Sequence, residues 1–199
     1  MSKFKLMKKM FLYFLMVFLF YSCSNDYTPK PRAYFRIDFP KKKEYQIYRK
    51  NCPFEFEYSK YSEILAHSKN KPCWFNIFYK KYKAKIHISY KRIDMGNDIL
   101  KYLEDSRKLA FKHTIKADAI GEQLFEDDEK NVYGMFFDIQ GNTASSVQFY
   151  LTDSTEHFLR GSLYFNVSPN KDSLRPVIEF IKKDIFHLIE TFNWKKINN

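Results

Sequence analysis

Asp153, Ser154 and His157 place the three residue types of a hydrolytic triad within five positions of one another. In such triads the histidine takes the serine proton and the carboxylate orients the imidazole, and the three converge from separate elements. Here they share one polar stretch, and no serine lies in a G-x-S-x-G elbow, so the stretch reads as a hairpin turn. His67, His87, His113, His157 and His187 show neither HxH nor HExxH spacing, and no metal site is expected. Asp127, Asp128 and Glu129 supply carboxylates, but general acid work needs one held away from water, and these read as a polar loop. No glycine-rich phosphate loop is present. The residue types therefore point to a binding or scaffold protein, with no enzyme activity and no cofactor.

Cysteine carries a different chemistry. Lys3, Lys5, Lys8 and Lys9 precede twelve apolar residues, 10–21, and then Ser22-Cys23, the three-part layout of a secretory signal. The run is short of the roughly 20 residues that cross a bilayer. Cleavage before Cys23 and acylation of its thiol are expected, with an ordinary signal that happens to end near a cysteine as the plainer alternative. Palmitate-type chains on Cys23 would hold the protein durably, since each buried CH₂ contributes about 0.8 kcal/mol. Residues 1–22 are then a leader, 23–32 a lipidated tether containing Pro29 and Pro31, and 33–199 a single domain. Assigning Cys23 to lipid leaves Cys52 and Cys73, either bridged in an oxidising compartment or as two buried thiols.

The net charge of +11 falls to +7 without the four leader lysines. The remaining lysines are scattered along the chain, their short runs at 41–43, 80–81, 182–183 and 195–196 lying far apart, and export argues against nucleic acid as a partner.

The elements follow from periodicity. Alternation predicts strands over residues 34–39, 54–58, 74–79 and 84–90, rich in aromatic and β-branched side chains. A helix capped by Asn97 or Asp98 carries Leu100, Leu103, Ala110 and Phe111 on one face and ends near Lys116. Three more strands form a meander, marked by Tyr133 to Ile139, Val147 to Leu151, and Leu159, Leu163, Phe165 and Val167. The last element is a helix with apolar residues Leu174, Val177, Ile178, Ile181, Ile185, Leu188, Ile189 and Phe192, capped by Asp172 or Ser173, with Pro176 in its first turn. The class is α+β, an antiparallel sheet covered by helices in the order β-β-β-β-α-β-β-β-α. On element order alone it is similar to the PsbP/Mog1 sandwich. On the non-core side of the last strand, Arg160, Ser162, Tyr164 and Asn166 alternate outward as a candidate partner-binding face with Arg160 as its charged anchor, unless they lie beneath a helix or simply meet water.

Several stretches resemble the GldD family, the gliding-motility lipoproteins of the Bacteroidetes: PKPRAYFRIDFP at 29–40, CPFEFEY from Cys52, CWFNIFY from Cys73, KYLEDSRKLAFKHTIKADAI at 101–120, and GNTASSVQFYLTDSTEHFLRGSLYFNVSPNKDSLRPVIEFIKKDI at 141–185. The resemblance covers most of the mature chain. It implies a lipid-anchored protein of the cell envelope, facing the periplasm, whose partners are other envelope proteins of the gliding and type IX secretion machinery. It also supports Cys23 as the acylation site and Cys52 and Cys73 as a disulfide pair. An envelope hydrolase and a lipoprotein holding a small apolar ligand stand as alternatives.

Overall fold

A computed structural model describes residues 7–14, 36–67, 70–71, 73–93 and 98–195. The chain divides into two units, residues 1–35 and 36–199. In the first, residues 7–14 are helical (α1). Cys23, the tether and the start of the strand expected at 34–39 lie outside the described residues. Among the described residues, no helix is long and apolar enough to cross a membrane.

The second unit is α+β, as the sequence predicts, but its strands fall into two antiparallel sheets. The smaller has the order β1-β2-β10, with β1 Tyr45–Tyr48, β2 Phe54–Ser59 and β10 Asn193–Trp194. The larger has the order β3-β4-β5-β9-β8-β7-β6. Its strands are β3 Glu63–Ala66, β4 Phe75–Tyr79, β5 Ala84–Arg92, β6 Ala117–Asp127, β7 Val132–Gly141, β8 Ser145–Thr152 and β9 His157–Phe165. Helix α2, Asp98–Phe111, joins β5 to β6, and helix α3, Lys171–Glu190, follows β9.

Alternation decides which face of the larger sheet is buried. Ile86 and Ile88 of β5, Val147, Phe149 and Leu151 of β8, and Leu159 and Leu163 of β9 point inward. They meet α3, whose Val177, Phe180, Ile181, Ile185, Leu188 and Ile189 form a stripe at helical spacing. Phe54 and Phe56 of β2 complete this core with Phe192. Gly161 sits opposite Phe149, whose ring lies 2.2 Å from where a Cβ would be, so only glycine lets that ring reach the sheet. On the opposite face α2 covers a smaller cluster, Ala110 over Phe137 and Ile139. Cys52 and Cys73 are bridged, with Cα atoms 5.7 Å apart, so the disulfide ties the segment entering β2 to the segment entering β4 and hence one sheet to the other.

Several expectations need correction. Residues 36–40 form no strand. Their alternation is real but serves side-chain packing, with Phe39 stacked on Phe180 at a centroid distance of 4.8 Å, while Pro40 lacks an N–H for a ladder. Helix α2 ends at Phe111, not near Lys116, and Leu100 is 73% exposed because its position turns away from the sheet. Val167 lies beyond β9 and is exposed. Helix α3 is capped by Asn170, whose side chain accepts from the Ser173 N–H; Pro176 is therefore its sixth residue, on an exposed side, and takes one rung out of the ladder.

Candidate functional site

The outward face of β9 can be read row by row from the register. Ser162 pairs directly with His87 of β5 and Gln148 of β8, and Arg160 pairs with Ser89 and Tyr150. Side chains directly opposite share a face, so Arg160, Ser162 and Tyr164 stand together with His87 and Gln148. Arg160 Nη2 donates to Gln148 Oε1 at 2.5 Å. Ser162 is 1% exposed and its Oγ has no hydrogen-bond partner. Asn166 does not belong to this face: it lies past the end of β9, exposed, with its backbone N–H donated to the Lys83 carbonyl. A side chain leaves the strand's alternation once the strand ends.

Helix α2 overhangs this surface. Tyr102 packs on Phe158 at a centroid distance of 5.4 Å, and Lys91 Nζ lies 4.4 Å above the Tyr102 ring. Between helix and sheet runs a cleft of about 440 Å³ bounded by Trp74, His87, Arg160, Tyr102, Lys108 and Lys112. Its character is cationic. Burial presses the Arg160 guanidinium below its ordinary pKa, while the nearby Tyr164 hydroxyl favours its charge. Burial also lowers the His87 pKa, helped by His67, Lys85 and Arg160; burial and then Arg160 lower that of His113. His87 Nδ1 meets Asn76 Oδ1 at 3.0 Å, and its ring lies 4.8 Å from that of His67.

A second polar cluster escapes any reading of local pattern. Asp184 of α3 is 2% exposed and accepts from Lys43 Nζ at 2.5 Å, Tyr79 Oη at 3.1 Å and Tyr45 Oη at 3.2 Å. Tyr45 stacks on the His187 ring at 3.6 Å, and His187 Nε2 meets Glu57 at 2.7 Å. His187 is thus not simply among apolar neighbours. It meets a carboxylate from another element, but beneath a tyrosine ring, and the two groups pin α3 to β1 and β2. The signal was one acidic residue at an inward position of α3, between Ile181 and Leu188.

The tyrosines of these packed regions set an alkaline limit on the fold. Burial, with the Asp184 charge and hydrogen bond, pushes Tyr45 up to about 12; burial foremost does the same for Tyr48 and Tyr90. The folded chain holds these protons more tightly than the unfolded chain, whose tyrosines ionise near 10. Their contribution to stability is therefore complete below pH 10 and is lost as pH climbs from 10 through 12. Ultraviolet titration of phenolate should show these tyrosines ionising late and together with loss of circular dichroism; early ionisation with the fold intact would refute the assignment.

The Asp153 to His157 segment is a turn, as the sequence suggests. Asp153 Oδ1 accepts the backbone N–H groups of Thr155, Glu156 and His157, and Ser154 adopts φ +65°. His157 Nδ1 meets Tyr90 Oη at 2.8 Å. Asp127 ends β6 and is held by Lys130; only Asp128 and Glu129 lie in the following turn. Among the described residues, no group of three or more His, Cys, Asp or Glu could hold a metal ion.

Fold and surface together define a disulfide-linked α+β domain, its polar side chains spent on turns, on pinning α3, and on one cationic cleft. The family described as gliding motility lipoprotein GldD matches over residues 24–194, and the chain belongs to that family. Membership in a lipoprotein family places it among membrane-anchored envelope proteins. A search of curated proteins finds no match.

Proposed function

We propose that this protein is a non-catalytic accessory of the gliding apparatus and the type IX secretion machinery, held to a membrane through acyl chains on Cys23 and binding other envelope proteins through its folded domain. The family match over nearly the whole mature chain carries this reading. The domain adds support, because its buried carboxylate and its triad-like turn are both saturated by internal donors, while the outward face of β9 keeps polar groups at a cleft. The domain faces the periplasm in this reading.

Two measurements test it. Mass spectrometry of the protein from its native host should find residue 23 at the N-terminus with diacylglyceryl and amide-linked acyl mass, and Cys23→Ser should retain the leader and lack that mass. Affinity capture of the acylated protein after cross-linking in intact cells should recover gliding and secretion components. An unmodified Cys23 would end the anchoring part of the proposal. Recovery of no envelope protein, with secretion and spreading intact after deletion, would end the scaffold part.

A further inference from the structure

Arg160 presents an unusual electrostatic situation. Its guanidinium sits in the wall of the cleft between α2 and the larger sheet, partly removed from water, and no carboxylate among the described residues pairs with it. Its acceptors are neutral, Gln148 Oε1 and the Tyr164 hydroxyl. A guanidinium offers five N–H donors in a planar fork suited to a carboxylate. Withdrawing such a charge from water without an opposite charge costs several kcal/mol. Beside it, Ser162 Oγ is buried and unbonded. Buried hydroxyls without a partner are rare in folded proteins, and each calls for an explanation. Ser162 lies beneath the cleft and does not line it, so the charge that faces the cleft without a counter-charge is that of Arg160 alone.

The surroundings select the ligand. Lys91, Lys108 and Lys112 stand at the rim, with Asp105 as the opposing charge of the lining and Lys108 paired to Glu104 at 2.8 Å. Trp74, Tyr102 and Phe158 give the cleft apolar walls, and about 440 Å³ admits a short stretch of side chains. The floor is a sheet face, and the helix contributes Asp105 to Lys108 and the turn beyond Phe111, its C-terminal half. Carbonyls gather at that end of a helix, and their partial negative charge opposes a dianion more than a single carboxylate. Backbone N–H groups that would cradle a phosphate dianion are not what this cleft presents. A single carboxylate on an extended chain fits it better: one oxygen pair on the Arg160 fork and the flanking residues against the aromatic walls.

We infer that the cleft between α2 and the outer face of β5 and β9 binds an acidic peptide segment, with Arg160 receiving a carboxylate. This rests on the reading of the protein as a binder of envelope proteins, and names the chemistry of what it binds.

The test uses the full chain in a zwitterionic detergent, titrated with a blocked peptide of alternating glutamate and alanine. Trp74 in the wall provides a fluorescence reporter, and the chain has two tryptophans, so a Trp194→Phe background isolates it. A saturable change is expected with the glutamate peptide and none with its glutamine counterpart. Arg160→Gln should weaken binding about tenfold or more, the loss of a charge-assisted hydrogen bond. Lys112→Glu, on an exposed surface where folding is not at stake, should weaken it too. Equal response to the glutamine peptide, affinity unchanged in both variants, or displacement of the peptide by an equal concentration of inorganic phosphate would overturn the inference. Failed titration with envelope proteins still captured by the Arg160→Gln chain would sink the cleft and leave the scaffold reading standing. Successful titration with no envelope protein captured would do the reverse.

Discussion

Replacing Asp184 with alanine is expected to lower the stability of the domain by about 3–5 kcal/mol, the cost of breaking a buried ion pair from one side. The carboxylate is almost fully enclosed and accepts hydrogen bonds from Lys43, Tyr45 and Tyr79, which come from the segment before β1, from β1 itself and from β4. Alanine leaves an ammonium without its counter-charge and two hydroxyls without their acceptor. Asparagine keeps an acceptor for the tyrosines and loses the charge, so its cost should be smaller, about 1–2 kcal/mol. Urea unfolding at neutral pH measures both. A loss under about 1 kcal/mol for alanine would mean that the cluster behaves like an exposed pair and holds little together.

Removing the disulfide, by Cys52→Ala with Cys73→Ala, should cost about 3 kcal/mol, from the entropy an open loop of this length regains in the unfolded chain. The separation of 21 residues contains β2 and β3. Loss of the bridge should also be uneven. The smaller sheet keeps its contacts with α3 but loses its covalent tie to β4, so hydrogen exchange should quicken in β1 and β2 first, while β8 and β9, central in the larger sheet, stay protected. Uniform acceleration across both sheets would show that the bridge supports the whole core equally.

What the sequence made legible follows from which periodicities the fold keeps. Strands β7, β8 and β9 carry large apolar side chains at alternate positions, so their period shows even where β7 and β8 are covered on both faces, and α3 carries the clearest stripe because a whole side of it is buried. Strand β6 was missed because it ends the sheet and lies largely exposed along its length; with little burial there is no alternation to read. Strands β1, β3 and β10 are too short for a period to register. The Arg160 face was legible in part: Ser162 and Tyr164 share it, while Asn166 fell outside because the strand stops at Phe165. The Asp184 cluster was invisible for another reason. Its partners lie 105 to 141 positions away, and only the closure of the fold brings them together.

The exposed edge formed by β6 has a consequence for molecules confined to a membrane plane, where neighbours meet far more often than in free solution. An eleven-residue strand whose outer side is unpaired among the described residues is a template on which another copy can pair. Asp118, Glu122 and Glu126 recur at every fourth position along it. An antiparallel union centred on Glu122 would set that residue against its own counterpart and Asp118 against Glu126, like charges of which Asp118 is held by Lys171 and Glu122 by Arg107 within the chain. Copies crowded on one membrane would face a like-charge cost in pairing this edge, one that the two internal cations reduce.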